Sequence, residues 1–303
     1  MNPQISSQSE VDMFLTCKRK HYYAFGEPCK DGSHGIAPIT HGESLTRGTI
    51  GHAILEDQYN LIQEGAEWVE ASRVALKQHF TRMVENREHI KLYNEITDIF
   101  AKYIDHYGDD PKDWRILAVE KEFNYQVPET GLTFAFKPDL AIQERSTGNV
   151  YIVDHKYLYN DYPARVIPIL PQMVKYSYAL NQMGYPVKDG IYNRLSTRKN
   201  SKEPFKRIPA NITNASKKMK RLFHEQVEAM KQIQWIKNNL TTEEWSDRAL
   251  RSANAYNCKN CPFLELCTAD LIEANGRDIL LEMSYTPNTY GYGRGIDDES
   301  DTA

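Results

Sequence analysis

The chain lacks any apolar run approaching the ~20 residues a membrane-spanning helix needs, so no helical span is expected. Its first residues, MNPQISSQSEVDMF, have no basic stretch followed by an apolar one. No secretory signal is therefore expected, and the expected location is the cytoplasm. Positive charge is not in excess: 37 Lys and Arg stand against 41 Asp and Glu, a net charge of −4. That is not the composition of a general polyanion binder. Basic residues do cluster at Lys18–Lys20, Arg194–Arg207 and Lys217–Arg221. Each cluster reads as a solvated face, or as part of a local basic groove. There is no internal repeat and no Gly-rich nucleotide fingerprint, which argues against a redox protein with a nucleotide cofactor. Cysteine is scarce, with five residues in 303. A chain of this length suffices for one large domain or two small ones.

What is present centres on Phe134–Lys156, FAFKPDLAIQERSTGNVYIVDHK. Leu132, Phe134 and Phe136 alternate as in a strand, and Val150–Val153 is a short apolar run suited to a buried strand. Between them Glu144–Asn149 supplies Ser, Gly and Asn as turn-formers. A hairpin folded about Ser146–Thr147 sets Asp139 opposite Asp154. Asp154 and Lys156 are two apart and share one strand face. Two carboxylates and an ammonium at a strand end suit Mg²⁺ or Mn²⁺ and the activation of a bound water. The plainer reading of the same residues is a strand-end ion pair between Asp154 and Lys156, with Asp139 solvated.

Along the chain, residues 5–25 read as a Ser-capped helix with Val11, Phe14 and Leu15 on its apolar face and Cys17 at its end. Residues 26–46 read as a loop carrying a bystander, Cys29. Residues 47–64 read as a helix that turns His52 inward beside Leu55 and Tyr59. There His52 is a core histidine or a ligand. Residues 65–110 read as scaffold helices, and 114–127 as a strand containing Glu120 and Glu122. After a loop at 157–168, a helix places Gln172, Tyr176, Ala179 and Met183 on one face. A strand around Gly190–Leu195, a basic loop and a long amphipathic helix over 211–240 follow. Then come Cys258, Cys261 and Cys267, three of the five cysteines within ten residues. In a cytoplasmic chain this spacing reads as a metal site, with Cys17 as the candidate fourth ligand. Four thiolates accept Zn²⁺ or a [4Fe–4S] cluster. The acidic end, Asp297 to Asp301, completes a tail over 284–303 expected to be disordered.

Pro138–Asp139 followed by Asp154-His155-Lys156 resembles the core motif of the PD-(D/E)XK nucleases. Gly48-x-x-x-His52 and Gln172-x-x-x-Tyr176 resemble the motifs that flank that core in the RecB-like branch. Ser7-x-Ser9 through Phe14, Cys17, Arg19 and Tyr22, with the distant Cys258–Cys267 trio, resembles the iron–sulfur members, Cas4 and the AddB-type nucleases.

The resemblance implies a restriction-endonuclease-like α/β fold, a mixed sheet flanked by helices, in one domain over 1–283. The catalytic core would span about 114–195, and a Cys₄ cluster would join the terminal segments. It implies a metal-dependent DNA exonuclease of recombination, repair or phage-type DNA processing. The substrate would be single-stranded DNA or DNA with free ends, and a helicase or recombination protein a possible partner. Asp139, Asp154 and Lys156 would be catalytic. His52, Asp139, Asp154, Glu120 and the His155 carbonyl would hold Mg²⁺ or Mn²⁺. Cys17, Cys258, Cys261 and Cys267 would hold the cluster, and Gln172 and Tyr176 would contact nucleic acid. The alternative is a silent nucleic-acid-binding protein of the same fold with a structural Cys₄ site.

Overall fold

A computed structural model describes residues 4–40, 42–108, 110–163, 166–167, 170–212, 216–272 and 275–288. The chain forms two compact units, one built from Gly42–Phe123 and Phe136–His224, the other from Met1–His41, Asn124–Ala135 and Glu225–Ala303.

The first of these units is an α/β layer structure. Its strands, numbered along the chain, are β3 (Trp114–Val119), β6 (Leu140–Glu144), β7 (Val150–Leu158), β8 (Val187–Ser196) and β9 (Phe205–Pro209), in the order β3-β6-β7-β8-β9. The sheet is mixed: β7 and β8 run parallel, the other pairs antiparallel. Helices α3 (Glu43–Gln63), α4 (Trp68–Glu85) and α5 (Ile90–His106) bury Ile54, Leu55, Ile96 and Phe100 together with Leu140, Ile142, Val153 and Leu195 of the sheet. Helix α7 (Pro171–Gln182) opens with Pro at its first turn, where the missing N–H costs nothing. It packs on β7 and β8. Because strand residues alternate between faces, Val153 and His155 face the α3 side while Asp154 and Lys156 face α7.

The β6–β7 hairpin pairs Leu140 with Val153 and Gln143 with Val150, so its axis passes between Ser146 and Thr147, a register the turn residues allow. Gly148 supplies the left-handed backbone, at φ 71°. Past Val153, β7 outruns β6 and leaves residues 154–158 bordered by β8 alone.

In the other unit, β1 (Gln4–Ser7), β5 (Leu132–Phe136) and β4 (Phe123–Gln126) form a three-stranded sheet in the order β1-β5-β4. Helices α1 (Gln8–Thr16) and α2 (Lys18–Phe25) break at Cys17, and Ser7 caps the first through its hydroxyl. Tyr22, Tyr23, Trp245, Phe263 and Leu266 build a separate core. Helix α8 (Ser216–Asn239) runs from one unit into the other; α9 (Thr242–Arg248), α10 (Ala255–Lys259), α11 (Leu264–Leu271) and α12 (Arg277–Ser284) follow.

Several expectations change. The strand expected over 114–127 breaks at Glu120, whose φ of 43° turns the chain out of the sheet, so β3 and β4 belong to different sheets. The first core strand likewise divides into β5 and β6 around Lys137-Pro138-Asp139, where Pro138 has no N–H to give to a ladder. The basic loop after β8 contains β9, pinned by Arg207 lying over the Tyr107 and Trp114 rings at 3.6 and 4.3 Å. β7 runs through Leu158, two residues into the expected loop. Within the expected tail, Tyr285–Pro287 is strand β10, paired with β2 (Ile36–Pro38), and Tyr285 stacks on Phe263. The rest of that tail, from residue 289, lies outside the described residues.

Candidate metal centre

Strand ends, not loops, carry the site. At the end of β3 the Glu120 N–H donates to the Asp139 carbonyl at 2.9 Å, extending the β3–β6 ladder by one step. The positive φ then turns the chain away. Such a conformation costs a non-glycine residue ~1–3 kcal/mol and is typical of functional sites. Asp139, just ahead of β6, accepts the His155 N–H on Oδ2 at 2.7 Å and so caps the overrunning edge of β7. Helix α3 brings His52 Nδ1 to 3.4 Å from Asp139 Oδ2 and 3.7 Å from Glu120 Oε1. One donor atom from each of His52, Glu120 and Asp139 lies within 4.8 Å of the others.

Asp154 stands beside this trio and is buried. Lys156 Nζ lies 2.9 Å from its Oδ1 and 2.7 Å from its Oδ2, and Gln172 Nε2 donates to Oδ1 at 3.1 Å. Lys137, which the motif reading passed over although it adjoins Pro138, puts Nζ 2.7 Å from Glu120 Oε2. Glu122, the alternative to Glu120, points to solvent.

Burial and the Asp154 charge push Asp139 up to about 7, against the pull of His52. Burial alone would lower His52, but Glu120, Asp139 and Asp154 hold it raised. Burial would raise Glu120, yet His52 and Lys137 leave it lowered. Lys156 is raised: the Asp154 carboxylate outweighs its desolvation. A crowded set of oxygen and nitrogen donors whose central carboxylate resists ionisation is short of positive charge, and a divalent cation fits it.

His155 places its side chain differently from its backbone. The ring is buried on the α3 side, parallel to Tyr59 at 5.8 Å, and its Nδ1 accepts from Asn193 Nδ2 at 2.8 Å. Asn193 also donates to the Tyr103 hydroxyl at 3.1 Å, which meets the Tyr59 hydroxyl at 2.9 Å. Burial drives the His155 imidazole well below its ordinary value, so it is neutral. Its N–H points at Asp139, and in an extended strand the carbonyl of the same residue leaves on the same edge. Sequence reasoning missed Asn193, Tyr103 and Tyr59, because a polar network behind a strand has no local spacing signature. Tyr176 is buried, its ring 5.0 Å from Phe136, so its side chain packs in the interior and does not present the nucleic-acid contact that the resemblance implies.

In the other unit Cys17, Cys258, Cys261 and Cys267 line one cavity of about 60 Å³. Ser252 N lies 3.5 Å from Cys17 Sγ and Arg251 Nε 3.4 Å from Cys267 Sγ. Burial raises Cys261. Cys29 is apart from them and donates to the Gly35 carbonyl within its own turn.

Residues 6–268 match the family profile of the PD-(D/E)XK nuclease superfamily. The chain belongs to that superfamily. The matched span contains Pro138–Asp139 and Asp154-His155-Lys156, and the carboxylates and lysine of these segments converge where β7 outruns β6. No curated protein matches the sequence. Among solved structures, the chain is similar to a protein of Eubacterium rectale titled "Putative exonuclease", at 14% identity and TM-score 0.45, covering 78% of this chain and 82% of that one. It is also similar to SSO0001, at 15% identity and TM-score 0.34, covering 63% and 80%. At these scores neither likeness adds to the family assignment. Among the described residues no helix is long and apolar enough to cross a membrane.

Proposed function

We propose that this PD-(D/E)XK protein is a metal-dependent deoxyribonuclease that works as an exonuclease on DNA with free ends. The observation that carries the reading is the convergence of His52, Glu120 and Asp139 beside an Asp154–Lys156 pair. His52, Glu120, Asp139, Asp154 and the His155 carbonyl would hold Mg²⁺ or Mn²⁺. Bound there, the ion would polarise a phosphodiester and lower the pKa of a water. Lys156, kept charged by Asp154, orients the attacking water and offsets charge gathering on the phosphate. Gln172 fixes Asp154 through its amide, and Tyr176 anchors α7 on Phe136 so that Gln172 stays in reach. Lys137 holds Glu120 Oε2 in place, leaving Oε1 turned toward His52.

The four cysteines would hold a [4Fe–4S] cluster. The four thiols line one cavity, and four thiolates accept such a cluster or, as the alternative, a single Zn²⁺. A cytoplasmic role in recombination, repair or phage-type DNA processing, beside a helicase or recombination protein, accords with an end-dependent nuclease.

The test is digestion of end-labelled linear DNA beside closed circular DNA, with Mn²⁺, Mg²⁺ or EDTA, using wild type and Asp154→Ala. Metal-dependent loss of the linear substrate alone, absent in the variant, is expected, and the labelled end gives the polarity. Cutting of both substrates would make it an endonuclease. Binding without cutting, by protein with its full metal complement, would overturn the catalytic reading.

A further inference from the structure

A second cavity of about 700 Å³ lies in the same unit as the metal centre. It is lined by Ser44 and Arg47 of α3, by Tyr157 and Tyr159 at the end of β7, and by Arg198 and Lys199 after β8. Tyr157 joins the two places: it adjoins Lys156, its ring lies 6.1 Å from His52, and its hydroxyl donates to the Gly51 carbonyl at 2.9 Å. Helix α3 gives the path. Ser44, Gly48 and His52 recur every fourth residue and share one face, spanning about 12 Å at 1.5 Å per residue. A side chain built at Gly48 would meet nothing within 4 Å. The helix surface at Gly48, midway between Ser44 and His52, is therefore open.

The lining has the chemistry of a single strand. Tyr159 is 64% exposed, a large aromatic left in solvent. The Arg198 guanidinium lies over one of its faces at 5.0 Å, and its Nη2 donates to Asn160 Oδ1 at 2.8 Å. Tyr159 thus carries a cation over its ring while most of its surface stays in solvent, where a base can stack. Arg47 is offset by Glu95 at 3.0 Å, so Arg198 and Lys199 supply the net positive charge. A duplex offers its bases only at their edges, whereas an unpaired base offers a ring face. The volume matches ordinary small-ligand pockets and has room for a nucleotide.

We propose that this cavity is a subsite for single-stranded polynucleotide next to the metal centre. One base stacks on Tyr159, Arg198 and Lys199 face the backbone phosphates, and the strand passes over Gly48 to His52. The inference rests on the nuclease reading and names the form of its substrate.

The experiment uses full-length protein carrying Asp154→Asn, so that no strand is cut, and a fluorescein-labelled oligothymidylate read by anisotropy. Tyr159→Ala should weaken binding roughly tenfold and Tyr159→Phe should restore it, because stacking needs the ring and not the hydroxyl. Arg198→Ala or Lys199→Ala should lower the salt dependence by about 0.7 in log–log slope for each phosphate no longer neutralised. All three positions are exposed, and unchanged thermal melting confirms that the variants fold. Full binding by Tyr159→Ala, or tighter binding of duplex than of single strand, would overturn the subsite while leaving the nuclease reading intact. Failure of the parent protein to bind any polynucleotide would remove both.

Discussion

The burial of Asp139 makes a quantitative prediction about Asp139→Asn in protein stripped of divalent ions. The carboxyl moves from an ordinary 3.8 to about 7 in the fold. Between those values the folded chain holds a proton that the unfolded chain has lost, so stability falls as pH rises through the interval and levels off above about 7. At about 1.4 kcal/mol per pH unit the upper limit is about 4 kcal/mol. Relaxation around the charge should reduce it to about 1–3 kcal/mol. His52 acts in the same direction, since its raised pKa means its contribution is lost as pH climbs through it. An asparagine at 139 keeps an oxygen for the His155 N–H and removes the carboxyl titration. Urea unfolding of the chelated proteins at pH 5 and pH 8 reads the effect. The expectation is a wild type that loses stability between the two, and a variant that loses less and exceeds the wild type at pH 8. Adding Mn²⁺ at pH 8 should raise the wild type alone. A wild type equally stable at both pH values, or a variant weaker at pH 8, would refute the argument that the trio is short of positive charge.

Below pH 7 a proton on Asp139 competes with a bound ion, so Mn²⁺ affinity read by electron paramagnetic resonance should fall close to tenfold per pH unit. Gly51→Ala should cost on the order of 1–3 kcal/mol in urea unfolding, because its new Cβ would lie 2.2–2.6 Å from Tyr157 ring atoms. Gly48→Ala, with open space around it, should gain up to about 1 kcal/mol from helix propensity. Asn193→Leu strands the buried His155 Nδ1 and takes one of its partners from the Tyr103 hydroxyl, and should cost about 1–3 kcal/mol. It should also weaken Mn²⁺ binding, by loosening the strand whose N–H holds Asp139. On the proposed cluster reading, Cys258→Ala should lower iron content and visible absorbance together, and a variant with unchanged metal content would refute that assignment.

Much of the candidate site's geometry was legible because its signals are local. Asp154 and Lys156 sit two apart on a strand, and Gln172 lies at a helix start whose face the spacing fixes. The turn was legible from Ser, Gly and Asn in Glu144–Asn149; they allowed the Ser146–Thr147 register that the structure shows but did not single it out, since a one-residue shift of the turn moves the pairing by two. The breaks at Glu120 and at Lys137–Asp139 were not legible, since each depends on which sheet a segment finally joins. Periodicity runs across both breaks without a mark: Phe134 and Phe136 alternate with their neighbours as smoothly as Leu140 and Ile142 do. Lys137 escaped notice for a similar reason. A lysine beside a proline is common, and only the fold brings it to Glu120. The motif glycine shows the limit of pattern matching, because the close approach belongs to Gly51 while Gly48 faces open space.

These breaks also explain why the site lies where it does. A residue inside a paired strand spends its backbone on the ladder and points its side chain up or down. Glu120 and Asp139 each stand one step beyond the last pair of β3 and β6, where the ladder stops but β7 continues. Their carboxylates can therefore reach across the edge, Asp139 to the His155 N–H and Glu120 toward His52. The edge lies between the sheet's two faces, and it is the place where α3 on one side and Asp154 with Lys156 on the other converge. The strain at Glu120 and the ionisation cost at Asp139 arise at the same edge. The ionisation cost at Asp139 is what a group supplying positive charge at that edge would offset, and a divalent cation held by these donors would supply it.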